Sequence, residues 1–318
     1  MREALFIKQN SLKWKNCEKI DGQNPDELAE KFISITDDLA YAKTFYPNSK
    51  TTQYLNNLAA GFHQSIYKNQ KEDQNRIIWF WKAELPLLFH RYRKELLVSY
   101  FFFLTFFCVG LLSAKYDQTF VRFILGDTYV NMTQANIAKG DPFGVYKSTN
   151  EWLMLFMIAK NNLYVTVLSY LAGIFCSFGT VFVLFKNGVM LGVFEYLFFS
   201  QDLGLKSILV IWIHGTLEIS CIIIAGGAGL VFGNSIIFPK TFSRLYSFKR
   251  GAKDGMKIIV GILPLVFLAA IFESFVTRHT GMPAWLSVFI LAASLAFVIA
   301  YVIIYPIRLS KSLKFPKE

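Results

Sequence analysis

A chain of 318 residues that is 54% apolar and 17% aromatic but only 17% charged is short of charge for a soluble protein, where about a quarter of residues are charged. Its net charge of +11 does not indicate nucleic-acid binding, because Lys and Arg gather beside apolar runs, where they set topology and meet anionic head groups, and no zinc-finger or basic-zipper spacing accompanies them. Cys17, Cys108, Cys176 and Cys221 stand apart without a CxxC pair, which argues against a cysteine zinc site or a disulfide framework.

The opening MREALFIKQNSLKW is charged and lacks the apolar core of a signal peptide. Asn24-Pro25-Asp26-Glu27 has the chemistry of a helix start: a polar cap, Pro in the first turn and acids at the positive end of the dipole. Leu28, Phe32, Ile35, Leu39 and Ala42 then recur at helical spacing until Pro47-Asn48. Thr51 or Thr52 opens another helix, with Leu55, Leu58, Phe62 and Ile66 on one face. Residues 1–74 are therefore expected to form a small cytoplasmic helical domain of three helices. His63 sits among polar neighbours there, which suits a structural histidine.

Residues 75–95 mix Trp79, Phe80 and Trp81 with Lys82, Arg91, Arg93 and Lys94, and Pro86 permits a kink. Rings and long cationic side chains together suit the lipid head-group layer, so an interfacial elbow helix is expected. The transmembrane domain then runs over 96–305, and 306–318 is a cytoplasmic tail. Leu96–Ala114 is the first uncharged run of spanning length, close to the roughly 20 residues an α-helix needs to cross. A polar connection with short amphipathic pieces around Phe120–Val130 and Trp152–Ile158 follows, and Leu163–Phe185 reads as the second span. Gly188–Ser200 is apolar but covers only about 20 Å at 1.5 Å per residue, so it reads as a short span or a re-entrant half-helix. Ser207–Phe232, Ile258–Val276 and Ala284–Tyr305 complete six crossings.

Cations orient these spans. Arg76, Lys82, Arg91, Arg93 and Lys94 precede the first. Lys240, Arg244, Lys249, Arg250, Lys253 and Lys257 face one acid, Asp254, after Phe232, and Arg308, Lys311, Lys314 and Lys317 lie in the tail. The positive-inside rule places all three regions, and both termini, in the cytoplasm. The expected fold is all-α: a polytopic helical protein of the bacterial cytoplasmic membrane.

Four ionisable residues interrupt the apolar runs: Glu195, His214, Glu218 and Glu273. Such groups are costly in a bilayer and mark functional or packing sites. His214 and Glu218 are four apart and share a helix face, so they are expected to pair, with Glu195 as a third member. No metal or cofactor is expected, because HGTLE offers one His and one Glu where metalloprotease helices offer two histidines, and His279 lies in a distant loop. Small residues form a second pattern: Ala225, Gly229 and Gly233 every four residues, and Gly188 with Gly192. Such stripes let helix backbones approach closely in lipid.

The segments DDLAYAKTFYPNSKTTQYLNNLAAGFHQSIY, NNLYVTVLSYLAGIFCSFGTVFVLFKNGVMLG and HGTLEISCIIIAGGAGLVFG resemble the stage II sporulation protein M-like membrane family in its long form. Asn187, Gly188, Gly192, His214, Gly215, Glu218, Ala225 and Gly229 fall on its motif positions. The resemblance implies a membrane protein without established chemistry, whose founding member is a scaffold gathering peptidoglycan-cleaving partners. The long form is often encoded beside other membrane proteins and a MoxR-type ATPase. The expected function is a non-enzymatic scaffold in the lipid bilayer, with membrane or cytoplasmic proteins as partners, an ATPase among them, and self-association open. The alternative is a permease subunit laid out like ABC-2-type exporters and served by a separate ATPase, an analogy of architecture only.

Overall fold

The computed structural model describes residues 2–18, 25–68, 76–147, 150–278 and 281–313, and every regular element in them is helical. They fall into two compact units, 1–77 and 78–318.

The first unit holds α1 (Glu3–Cys17), α2 (Pro25–Phe45) and α3 (Lys50–Lys68). Leu28, Ile35, Leu39 and Ala42 of α2 are buried with Leu55, Leu58 and Phe62 of α3, and Phe6 and Trp14 of α1 close the cluster. The helical spacing read from the sequence is thus the face that packs. Polar ties fix the register of α1: Trp14 Nε1 donates to Asp38 Oδ2 at 2.8 Å, and Thr51 Oγ1 donates to Glu3 Oε1 at 2.7 Å. α2 starts at Pro25, and its expected cap Asn24 lies outside the described residues. α3 is capped by Ser49, two residues before the earlier of the two expected openers, and its hydroxyl accepts from the Thr52 amide at 3.2 Å. Tyr54 donates to Glu18 at 2.8 Å, and burial with that bond pushes its hydroxyl up to about 12.

In the second unit a bent helix reaches Arg91 through a π turn, Phe80–Glu84; with its first turn it is α4 (76–91). Leu85, Leu88 and Phe89 are buried against the bundle while Trp79, Arg91, Arg93 and Lys94 stay exposed. Trp81 is drawn inward instead, donating Nε1 to the Gly261 carbonyl at 3.1 Å. The π turn leaves carbonyls turned outward, and those of Trp81 and Lys82 accept from Tyr301 and Tyr305, each at 2.7 Å.

Among the described residues, six helices are long and apolar enough to cross a membrane: α5 (Arg93–Tyr116), α8 (Glu151–Ile174), α9 (Phe178–Phe199), α10 (Gly204–Ile237), α11 (Arg244–Val276) and α12 (Ala284–Ser312). Between α5 and α8 lie α6 (Gln118–Leu125) and α7 (Asp127–Ala138), joined at Gly126, whose φ of +83° suits glycine. α10 is the most enclosed of the six, and each of the other five packs on it.

The number of spans agrees with the sequence, but their division does not. Leu163–Phe185 is not one helix: the chain turns at Phe175-Cys176-Ser177, with Cys176 and Ser177 in the left-handed region. α8 therefore begins at Glu151, taking in the piece expected to be a separate amphipathic segment, and Gly188–Ser200 is the second half of the full-length helix α9. The turn carries no Pro or charge to announce itself. It is held by tertiary bonds: Thr180 Oγ1 donates to the Ser169 carbonyl at 2.8 Å, and Ser177 Oγ lies 3.3 Å from Asn234 Oδ1. The last helix runs on to Ser312, so the first residues of the tail, 306–312, are helical.

The cation-rich start of α11 is tied to the elbow. Tyr92 donates to Asp254 Oδ2 at 2.6 Å, the Arg91 guanidinium lies 3.6 Å from the same oxygen, and Lys257 pairs with Glu84. Burial, and then the bond to Asp254, hold the Tyr92 hydroxyl above the ordinary tyrosine range. An acid group whose folded pKa is raised contributes stability that is lost once pH rises past the unfolded value, about 10 for tyrosine. Tyr92→Phe is therefore expected to lower stability by about 1–2 kcal/mol at neutral pH and to flatten the decline above about pH 10. Melting temperatures in detergent across pH 7–11 check both parts; an unchanged alkaline slope would refute the second.

Candidate functional site: a cavity beside a buried histidine and two glutamates

α10 carries His214 and Glu218 one turn apart, facing the C-terminal end of α11. There the helix widens into a π turn, Phe272–Val276, closed by the Thr277 amide on the Phe272 carbonyl at 2.9 Å. Such bulges recur at functional sites because the inserted residue re-aims its neighbours. Here Glu273 and Thr277 are brought to His214. Thr277 Oγ1 lies 2.8 Å from His214 Nδ1, and Glu273 Oε2 lies 3.9 Å from Nε2. One donor atom from each of His214, Glu218 and Glu273 falls within 4.8 Å of the others. His214 is 4% exposed, so the arrangement lies inside the protein.

Beside this triad is a cavity of about 200 Å³, walled by Asn161 and Asn162 of α8, Asn187 of α9, and Trp212, His214 and Glu218 of α10. Thr166, a turn beyond Asn162, is also on its wall. Asn162 is buried, its Oδ1 accepts from Asn161 at 3.4 Å, and its Nδ2 has no hydrogen-bond partner. The cavity thus carries the amide groups of Asn161, Asn162 and Asn187 together with the His214 and Glu218 side chains, among otherwise mostly apolar lining residues.

One sequence expectation changes. The third member of the cluster is Glu273, not Glu195. The Glu195 carboxylate is bound elsewhere, accepting from Trp212 Nε1 at 2.7 Å and Ser207 Oγ at 3.1 Å. Helix spacing brings His214 and Glu218 close, and the His214 ring also reaches α11, where its Nδ1 lies 2.8 Å from the Thr277 hydroxyl. Glu273 was visible in the sequence as an intramembrane acid, yet nothing in the spacing linked it to a residue 59 positions earlier. Asn161, Asn162, Thr166, Trp212 and Thr277 gave no signal of their own, since Asn and Thr are unremarkable one at a time.

The small-residue positions also divide. A Cβ built at Gly188, Gly192, Gly229 or Gly233 would fall within 3.0 Å of Phe106, Phe107, Ser169 or Ser177 respectively, and Ala225 is fully buried. Gly215 is different, with no atom nearer than Ile219 Cδ1 at 3.9 Å; it lines the cavity. Asn187 lines it too, its amide donating to the Val183 carbonyl of its own helix at 2.8 Å.

Five apolar helices around one enclosed central helix, with a cavity inside that carries polar groups, define a multi-pass helical membrane protein. The sequence pattern of the family described as Stage II sporulation protein M matches residues 99–278, more than half of the chain, and the chain belongs to that family. Residues 4–68 match a second pattern, described as a domain of unknown function (DUF8413). No curated protein and no solved structure matches the chain.

Proposed function

We propose that the protein is a non-enzymatic scaffold of the bacterial cytoplasmic membrane, with both termini in the cytoplasm, which gathers other envelope proteins through its N-terminal helical unit. The observation that carries this is that residues 1–77 form a compact unit with a core of their own, which displays large apolar side chains outward: Leu12 is 77% exposed and Ile33 61%. A module joined to a multi-pass anchor suits recruitment. Six crossings put both ends on one side, and the cations of 240–257 and 308–317 favour the cytoplasmic side for them. A photo-crosslinker at Leu12 or Ile33 is expected to capture discrete membrane or cytoplasmic partners in cells, whereas one at the outward-facing Phe289 of α12 captures lipid. The same pattern at all three positions would defeat the proposal. Cysteine labelling should find residues near Lys249 shielded from external reagent and residues near Gly140 open to it.

A second reading, a permease subunit served by a separate ATPase, is favoured by the cavity among the spans, which carries polar groups. Nucleotide-dependent flux in liposomes holding both chains would support it over the scaffold.

A further inference from the structure

We propose that His214, Glu218 and Glu273 bind one divalent transition-metal ion of the zinc and manganese kind beside the cavity. The inference is independent of the scaffold role. An imidazole nitrogen and two carboxylate oxygens are donors that zinc and manganese both accept, three protein ligands leaving a position open. Their donor atoms lie within 4.8 Å of one another, and His214 Nε2 is 3.9 Å from Glu273 Oε2. Bonds of about 2.0–2.1 Å to a tetrahedral ion give ligand separations of about 3.3 Å. Rotation of two glutamate side chains closes that difference without moving a helix.

Three further observations point to a cation there. Thr277 Oγ1 sits on His214 Nδ1, the position from which an outer-sphere group fixes the ring of a metal-bound histidine and aims its other nitrogen. Two carboxylates converging in a low-dielectric slab repel, and a dication with a neutral imidazole cancels both charges at once. Asn162, which lines the same cavity as His214 and Glu218, is 6% exposed and its Nδ2 has no acceptor; such a donor suits an anion or water held in the cavity beside the ion. The ligands come from two helices, His214 and Glu218 from α10 and Glu273 from the π turn of α11, so the ion would also pin those helices together at this end.

The test uses the full chain, purified in mild detergent with a tag free of histidine, and titrated with Zn²⁺ and with Mn²⁺ alone. About one ion per chain is expected, with a rise in melting temperature on binding. Glu218→Gln and Glu273→Gln should each weaken affinity at least tenfold, and Thr277→Val about tenfold through the ring it positions. Glu195→Gln, away from the site, should leave affinity unchanged. Should Glu273→Gln fail to fold, Glu273→Asp keeps the carboxylate but withdraws it by one methylene, and the same loss is expected. Wild-type protein that takes up neither ion stoichiometrically, or binding that survives the Glu218 and Glu273 substitutions undiminished, overturns the proposal.

Discussion

Gly229→Leu should unfold the membrane unit or leave it far less stable. Gly229 of α10 faces the hairpin between α8 and α9: a Cβ there would come within 3.0 Å of the Ser169 carbonyl and of both outer atoms of the Thr180 side chain. Those two groups are bonded to each other, so neither yields without breaking the bond that holds the turn. Overpacking ordinarily costs about 1–3 kcal/mol. A backbone carbonyl as the obstacle places Leu at or above the top of that range, about 3 kcal/mol or more, which corresponds to a melting-temperature drop of about 6–12 °C for a unit of this size. Gly215→Ala is the matched control. Its glycine lies on the same helix, but its methyl would enter the cavity, where the nearest atom is 3.9 Å away. Equal losses for the two variants in detergent melts would show that the glycines of α10 are not distinguished by what they touch.

Glu195→Leu should destabilise by about 1–3 kcal/mol, the cost of leaving a buried donor without its acceptor. The donor is Trp212 Nε1, at 2.7 Å from the carboxylate. Ser207 is less affected, because its hydroxyl also reaches the Gly204 carbonyl at 2.8 Å. Glu195→Gln retains an acceptor and should cost less than about 1 kcal/mol. The pair Glu195→Leu with Trp212→Phe removes donor and acceptor together, so much of the loss should return; exchange of both partners for apolar groups is nearly neutral in general. A double variant as unstable as the sum of its singles would mean that Glu195 acts through something other than this bond.

Composition and periodicity by themselves determined the class of this protein. Apolar runs of spanning length have one physical solution in lipid, a helix that satisfies its own backbone, so six spans and an all-helical fold were legible without coordinates. The same holds for the N-terminal unit, where Leu28, Ile35, Leu39, Leu55 and Phe62 repeat at helical spacing and are the residues buried. The family was legible as well, because its motif stretches are contiguous in the chain. What hydropathy could not locate was the hairpin at residues 175–177. Its residues are as apolar as the helices on either side, and its left-handed backbone at Cys176 and Ser177 is held by Ser169, Thr180 and Asn234. The candidate site divides in the same way. A spacing of four placed His214 beside Glu218, since that is a property of one helix. Glu273 and Thr277 reach the same point only because α11 packs against α10 and swells into a π turn there. Glu195, the expected third member, spends its carboxylate on Trp212 and Ser207 instead. Periodicity reports which side chains share a face of their own helix, whereas the partner across an interface depends on how two helices meet, and that only the folded chain decides.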